Sequence, residues 1–335
     1  MEDDIAGPVE RAADVAVVNP ASVSEVCDRV RYECARIRMS DAQTAALVRV
    51  ASELAVNQIA HAGGGRVTVN VSHAHGPGTL ELVAIDRGPG IPDIMSALRP
   101  PDGRPSKCGS GLAAVAELAD EIDIDVRVGE GTCIRARKGP STVRRRQVGV
   151  FGRPVRGERT SGDDAAFARR ADTLLVALAD GLGHGPPARE ASSLTAGVLA
   201  SHPSLSPTAL LGLCNTAVEG TRGAVMTAVR VQDGTDATLA AVGNVTAYAF
   251  GGGRSERLAS GTRVLGSPDG LSGMATQEFS LRPRDALVLY SDGLPWCVDL
   301  SREVALLREH PAVVAQVLLE RLGRGIDDEL VLVVV

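Results

Sequence analysis

Two hydrophobic rhythms share this chain. Some short runs alternate apolar and polar residues, as half-buried strands do. Longer stretches repeat apolar residues every three to four positions, as helices do. Residues 14–18 predict a strand. Asn19-Pro20 then marks a helix start, Ser22 with Glu25 matches a capping box, and the helix is expected to reach about Arg38. Ser40 with Gln43 makes a second capping-box match. It opens a helix to about Ala62 with Leu47, Val50, Ala51 and Leu54 on its apolar face, ended by Gly63-Gly64-Gly65. Strands are predicted at 66–71 and 80–85. A helix follows at 113–119, then strands at 122–128 and 132–138 around Gly129-Glu130-Gly131. Gly139, Pro140, Ser141 and three arginines mark residues 139–146 as a linker.

Beyond the linker, strands are expected at 147–151, 164–168 and 173–179, then helices at 188–200 and 208–218. Further strands follow at 224–231, 238–242, 246–250, 277–281 and 286–290. Two helical segments flank Pro311, and 330–335 is an apolar run suited to a buried strand.

The length of 335 residues fits two domains, here 1–138 and 147–335. Aromatic residues make up 2%, so the cores must be built from Ala, Val and Leu. A net charge of −6 leaves no basic surplus for nucleic acid. The six cysteines form no C-x-x-C pair, so reduced thiols are the default. The acidic start (Glu2, Asp3, Asp4) is unlike a secretory leader, and no apolar run is long enough for a bilayer. A soluble cytoplasmic protein with no membrane partner is expected. His73 and His75 flank a Gly-Pro-Gly loop and read as solvent-exposed.

Asp86-Arg87-Gly88-Pro89-Gly90 follows a predicted strand. A carboxylate there can accept from the exocyclic amine of adenine, and glycines let backbone approach a ligand. The alternative is a plain surface turn. Glu53 and Asn57 share one helix face. The first could take a proton from an attacking hydroxyl and the second could bind Mg²⁺ through its amide oxygen; a solvated polar face is the alternative. Lys107-Cys108-Gly109-Ser110-Gly111 leads into a helix, where free N–H groups and a lysine suit phosphate.

In this order, with Gly131-Thr132 behind them, these boxes resemble the GHKL ATPase superfamily. Within it they are similar to the RsbT-like serine kinases of bacterial partner switching, over about residues 14–138. The resemblance implies an α/β (Bergerat) sandwich with a mixed sheet. It makes Glu53 the general base, Asn57 the Mg²⁺ ligand and Asp86 the adenine anchor. Gly88, Gly90, Lys107, Gly109, Gly111 and Thr132 would shape the ATP pocket and its lid, which has fewer glycines than the usual form.

In the second half, Asp163, Asp180, Asp292 and Asp327 each sit at a predicted strand edge. Gathered carboxylates repel unless cations intervene, and a pair of divalent ions with a bridging water suits attack on a phosphate ester. Separate turn residues are the alternative. Ala179-Asp-Gly-Leu-Gly-His-Gly185, Gly243-Asn244, Tyr290-Ser-Asp-Gly293 and Asp327-Asp328 resemble PPM-type phosphatases of the SpoIIE branch, RsbX-like in size. That resemblance implies an α-β-β-α sandwich with two Mn²⁺ or Mg²⁺ ions. Asp180 would bridge them, with the Gly181 carbonyl, Asp163, Asp292 and either Asp327 or Asp328 as further ligands. His184 would give a proton to the leaving group or shape its loop.

Together the resemblances imply opposed kinase and phosphatase chemistry on a STAS-domain antagonist or stressosome-like protein, within reach of an anti-sigma factor or downstream phosphatase. The alternative is a phosphatase gated by an ATP-binding docking module without catalysis.

Overall fold

The computed structural model describes residues 9–72, 78–99, 111–139, 146–170, 173–232, 235–295, 297–298, 300, 303 and 305–335, with the side chains of 9–11 excepted. His73 and His75, and Lys107 to Ser110 of the expected lid, lie outside the described residues. The chain splits into two compact units, Met1–Gln147 and Val148–Val335.

The first unit runs β1 (Val9–Val17), α1 (Pro20–Arg36), α2 (Asp41–Ala62), β2 (Gly65–Ser72), β3 (Thr79–Asp86), α3 (Ile94–Leu98), α4 (Leu112–Leu118), β4 (Glu121–Arg127) and β5 (Gly131–Lys138). The sheet order is β1-β2-β3-β5-β4, with antiparallel neighbours. Alternate residues Val67, Val69 and Val71, Leu80 and Leu82, and Ile122, Ile124 and Val126 are buried, as are Val26, Val30, Leu47, Val50 and Leu54 of the two long helices. α2 packs on α1, β2 and β3.

Both long helices begin at identifiable caps. The Ser40–Gln43 capping box at α2 is complete, and Gly63 ends the helix at φ +72°. At α1 the expected Ser22–Glu25 box is replaced by Asn19. Its side chain accepts from the Ala21 and Ser22 N–H groups, with Pro20 at the first helical position. Pro20 has no N–H to offer, so the cap belongs one residue before it. Ser22 turns back instead to accept from the Val18 N–H.

The second unit runs β6 (Val148–Arg153), β7 (Asp163–Arg170), β8 (Thr173–Gly181), α5 (Pro186–Ser201), α6 (Pro207–Ala217), β9 (Ala224–Gln232), β10 (Asp236–Val242), β11 (Thr246–Gly251), β12 (Arg254–Arg257), β13 (Ala275–Ser280), β14 (Ala286–Tyr290), α7 (Pro311–Leu322) and β15 (Glu329–Val334). Its strands form two sheets, β6-β15-β14-β11-β12 and β13-β10-β9-β8-β7. Strand alternation splits the core in two. Leu174, Val176 and Leu178 of β8 join Val150, Leu289, Leu330 and Leu332 between the sheets. Leu175, Ala177 and Ala179 meet Leu199, Leu210, Leu211 and Cys214 of α5 and α6. α7 covers β6 and β15, and a Cβ on Gly149 would overlap the first turn of that helix at Ala312. This is an α-β-β-α sandwich with a core of small aliphatic residues.

The expected pair of helical segments around Pro311 becomes one short 3₁₀ turn, Leu306–Arg308, and one helix that starts at Pro311. Proline fits the first helical position and disfavours helix in the residue before it, so it opens α7. Among the described residues no helix is long and apolar enough to cross a membrane.

Candidate nucleotide site and candidate metal centre

In the first unit the site residues converge on α2. Glu53 is half-buried, with its Oε1 3.9 Å from Arg49 Nε one turn earlier. Asn57 stands one turn later; a Cβ on Gly111, at the start of α4, would lie 3.5 Å from its Oδ1. Asp86, the last residue of β3, accepts from the Gly88 N–H at 2.9 Å. Burial raises its carboxyl above the usual range, and hydrogen bonds from the Gly88 and Thr132 backbones pull it back. Gly88 lies against Ala62 at the end of α2, where a Cβ would come within 2.6 Å of the Ala62 Cβ. Ala62 is five residues beyond Asn57, about 7.5 Å along the helix axis.

Thr132 pairs with Asp86 in the β3–β5 register and is buried. Gly131 has φ +143°, and a Cβ there would overlap the Asp86 carbonyl oxygen. Gly90, at φ +79°, is fixed by its neighbours, since the Pro89 carbonyl accepts from Gly129 N–H at 3.0 Å. One residue here escaped the sequence reading. Gln58 is buried, and its amide donates to the carbonyls of Arg66 and Ile85, each at 3.0 Å. It thereby fastens the Asp86 strand to the helix that carries Asn57.

In the second unit, Asp163 and Asp180 face each other across the β7–β8 pair. By strand alternation they sit on the side of Leu178 and Ala165, between the sheets. The opposite sheet supplies the rest. β14 and β15 pair antiparallel with Tyr290 opposite Val331, so Asp292 after one strand and Asp327-Asp328 before the other reach the same end.

The carboxylates feel one another. Burial, then Asp180, raises Asp163 well above the ordinary range. Burial, with Asp292, Asp327 and Asp328, pushes Asp180 up to about 8. Burial and Asp327 raise Asp292, while a hydrogen bond from Asn244 lowers it. Asp328 is raised by burial too, although it accepts from the Val155 N–H at 2.7 Å and the Gly162 N–H at 2.6 Å. Those bonds give Asp328 a bridging role among loops, while Asp327 accepts only from the next backbone N–H among the described hydrogen bonds.

Among the described residues no three His, Cys, Asp or Glu side chains close around one point. A hydrated divalent ion does not require that; Mg²⁺ commonly keeps several waters and takes one or two carboxylates. The donor set fits such ions. Asp163 is 1% exposed and its Oδ2 is buried with no hydrogen-bond partner, a costly arrangement that a cation would relieve. Gly181 permits a close approach of α5, since a Cβ would overlap the Ala188 carbonyl. His184 is exposed at the rim, its Nδ1 3.0 Å from Glu158 Oε1. Ser161 and Ser291 complete the surround. The Ser161 hydroxyl accepts from Asp163 N–H, and the Ser291 hydroxyl accepts from Leu330 N–H.

Comparison with known proteins divides the chain in the same sense. Residues 16–138 match the histidine kinase-like ATPase domain, and residues 170–335 match the stage II sporulation protein E (SpoIIE) domain. The serine/threonine-protein kinase RsbT of Bacillus subtilis (strain 168) is 38% identical over 87 residues, which are 26% of this chain and 65% of that kinase. A structure from work on the bacterial stressosome as a modular system controlling secondary messenger signalling is 27% identical, with a TM-score of 0.52 over 57% of this chain and all of that one. RsbX in complex with magnesium is 21% identical, with a TM-score of 0.50 over 58% of this chain and 96% of that one, a likeness of fold.

Proposed function

Because the chain joins a histidine kinase-like ATPase domain to a SpoIIE domain, we propose that it is a bifunctional partner-switching regulator. The first unit phosphorylates a serine or threonine of a STAS-domain antagonist or stressosome-like protein. The second hydrolyses that phosphoester, and the balance controls a sigma-factor or stress-response pathway. The similarities to RsbT and to a stressosome structure support this partner class.

The observation that carries the hydrolytic half is the gathering of Asp163, Asp180, Asp292 and Asp327 from two sheets at one end, with mutual repulsion and an unpartnered Asp163 oxygen. Two Mg²⁺ or Mn²⁺ ions held by these groups, by Asp328 and by the Gly181 carbonyl would supply a water of lowered pKa and neutralise phosphate charge. His184, held by Glu158, gives a proton to the leaving oxygen.

In the first unit Asp86 accepts from the adenine amine, Asn57 holds Mg²⁺ and Glu53 takes the proton of the attacking hydroxyl. Gly88, Gly90, Gly111 and Thr132 admit the nucleotide, and Lys107 and Gly109 rest on the resemblance alone. One observation favours the second reading, an ATP-binding module that docks the partner and gates the phosphatase: the Glu53 carboxylate faces Arg49 at 3.9 Å and does not stand alone before an attacking hydroxyl.

The full chain with its co-purifying partner, given γ-labelled ATP and then Mn²⁺, separates the readings. Label is expected on a partner serine or threonine, followed by its loss as free phosphate. ATP binding without transfer would leave the docking module. Label that persists with metal present would refute the hydrolytic half.

A further inference from the structure

The candidate metal centre is built from negative groups, with the Glu158 carboxylate added at the rim. A phosphate monoester arrives as a dianion. Its outward oxygens need a cationic donor that is not already committed to a carboxylate. Two of the described cations around the site are committed. Arg189 donates to the Asp163 carbonyl at 3.2 Å and lies 3.9 Å from Asp164. Arg153 pairs with the buried Glu329 at 2.6 Å.

Arg222 differs. It is exposed, as are Arg156 and Arg159 of the loop after β6, and none of the three forms an ion pair among the described residues; what sets Arg222 apart is its position. Its guanidinium lies over the Gly181–Gly185 turn, where a Cβ on Gly183 would come 2.9 Å from Nη1. The backbone ties the two turns together, because Leu182 N–H donates to the Gly223 carbonyl at 3.1 Å. Gly183 (φ +87°) and Gly223 (φ +85°) both hold the left-handed backbone that the two turns need. The arrangement brings one free guanidinium beside the turn whose Gly181 carbonyl is assigned to a metal.

We propose that Arg222 is the phosphate anchor of this site, with its guanidinium fork binding the non-bridging oxygens of the phosphoester. The inference rests on the hydrolytic reading above and adds the residue that receives the substrate's charge. Gly183 is required by its φ of +87°, and with no side chain it leaves room for the guanidinium beside the turn.

The test titrates inorganic phosphate calorimetrically into the full chain loaded with Mn²⁺, as wild type, Arg222→Ala and Arg222→Lys. Hydrolysis of p-nitrophenyl phosphate is followed in parallel. Arg222→Ala is expected to weaken phosphate binding about 10-fold or more, as loss of a charged hydrogen-bond donor does. KM should rise by a similar factor with kcat changed far less. Arg222→Lys should recover part of the loss, since an ammonium restores charge but not the fork. Mn²⁺ affinity should stay within about 2-fold, a readout that damage to the turn would move. Unchanged phosphate affinity in Arg222→Ala, no phosphate binding by the wild type, or phosphate and Mn²⁺ affinities lost together would overturn the proposal. A wild type that binds phosphate but hydrolyses nothing would sink the hydrolytic reading, while the titration would still report on Arg222.

Discussion

Removing one charge from the carboxylate cluster should stabilise the metal-free protein. Asp180→Asn keeps the shape of a side chain that burial and its acidic neighbours hold at about 8. A folded-state value above the unfolded one means that the folded protein keeps a proton which the unfolded chain has released. The cost is absent below about pH 4 and complete above about pH 8, so stability falls as pH rises through that window. At about 1.4 kcal/mol per pH unit, the displacement sets a ceiling near 6 kcal/mol. Asp163 and Asp292 share the repulsion and relax when one charge is gone, so the expected recovery is about 2–4 kcal/mol. For a unit of this size that is roughly 5–10 °C in Tm. In EDTA at pH 8 the variant should melt above the wild type, and the gap should close near pH 4. With Mn²⁺ the wild type should gain stability and the variant little, because a ligand is missing. An unchanged or lowered Tm at pH 8 in EDTA, or a full Mn²⁺ response in the variant, would refute the reasoning.

Glu53→Gln should cut phosphate transfer from ATP at least about 100-fold, with ATP affinity within about 3-fold and phosphoester hydrolysis untouched, as measured by label transfer and nucleotide titration. Gly131→Ala forces a Cβ into the Asp86 carbonyl at a φ of +143°. Nucleotide titration should show at least about a 10-fold loss of ATP affinity, and denaturation a destabilisation of about 1–3 kcal/mol. Gln58→Leu strips the amide from the Arg66 and Ile85 carbonyls. Urea unfolding should show a loss of about 1–3 kcal/mol in the first unit, with ATP affinity falling alongside.

The parts of this protein that were legible in the sequence are those governed by neighbours in the chain. The Ser40–Gln43 box and the Gly63 stop act within one helical turn, and the structure forms both. The limits of β7 and β8 depend on long-range pairing. β7 and β8 run slightly past the expected limits, so Asp163 is the first residue of one and Asp180 the penultimate residue of the other, and the pairing that sets them opposite each other was not readable locally. The different hydrogen-bond partners of Asp327 and Asp328 were not readable either. The difference turns on the Val155 and Gly162 N–H groups, which bond to Asp328 from far away in the chain. Gln58, Ser161 and Arg222 have no motif of their own, and Ser291 sits inside Tyr290-Ser-Asp-Gly293 with no role assigned to its hydroxyl. Ser161 and Ser291 stand within two residues of a site aspartate, the one local hint that a hydroxyl would hold its backbone. Exposed β12 carries no apolar alternation, so its existence follows only from its partner β11.

β15 lies between β6 and β14, and the Asp328 carboxylate just before it receives an N–H from a residue 173 positions earlier. During synthesis the ribosome therefore delivers one half of the acidic pocket long before the other. A nascent chain holding β6 to β14 has an open gap in its sheet and no pocket until the gap is filled. On the proposed reading, phosphoester hydrolysis would thus be withheld from every growing chain, and a prematurely terminated product lacking β15 would be inert as a hydrolase and exposed to quality control.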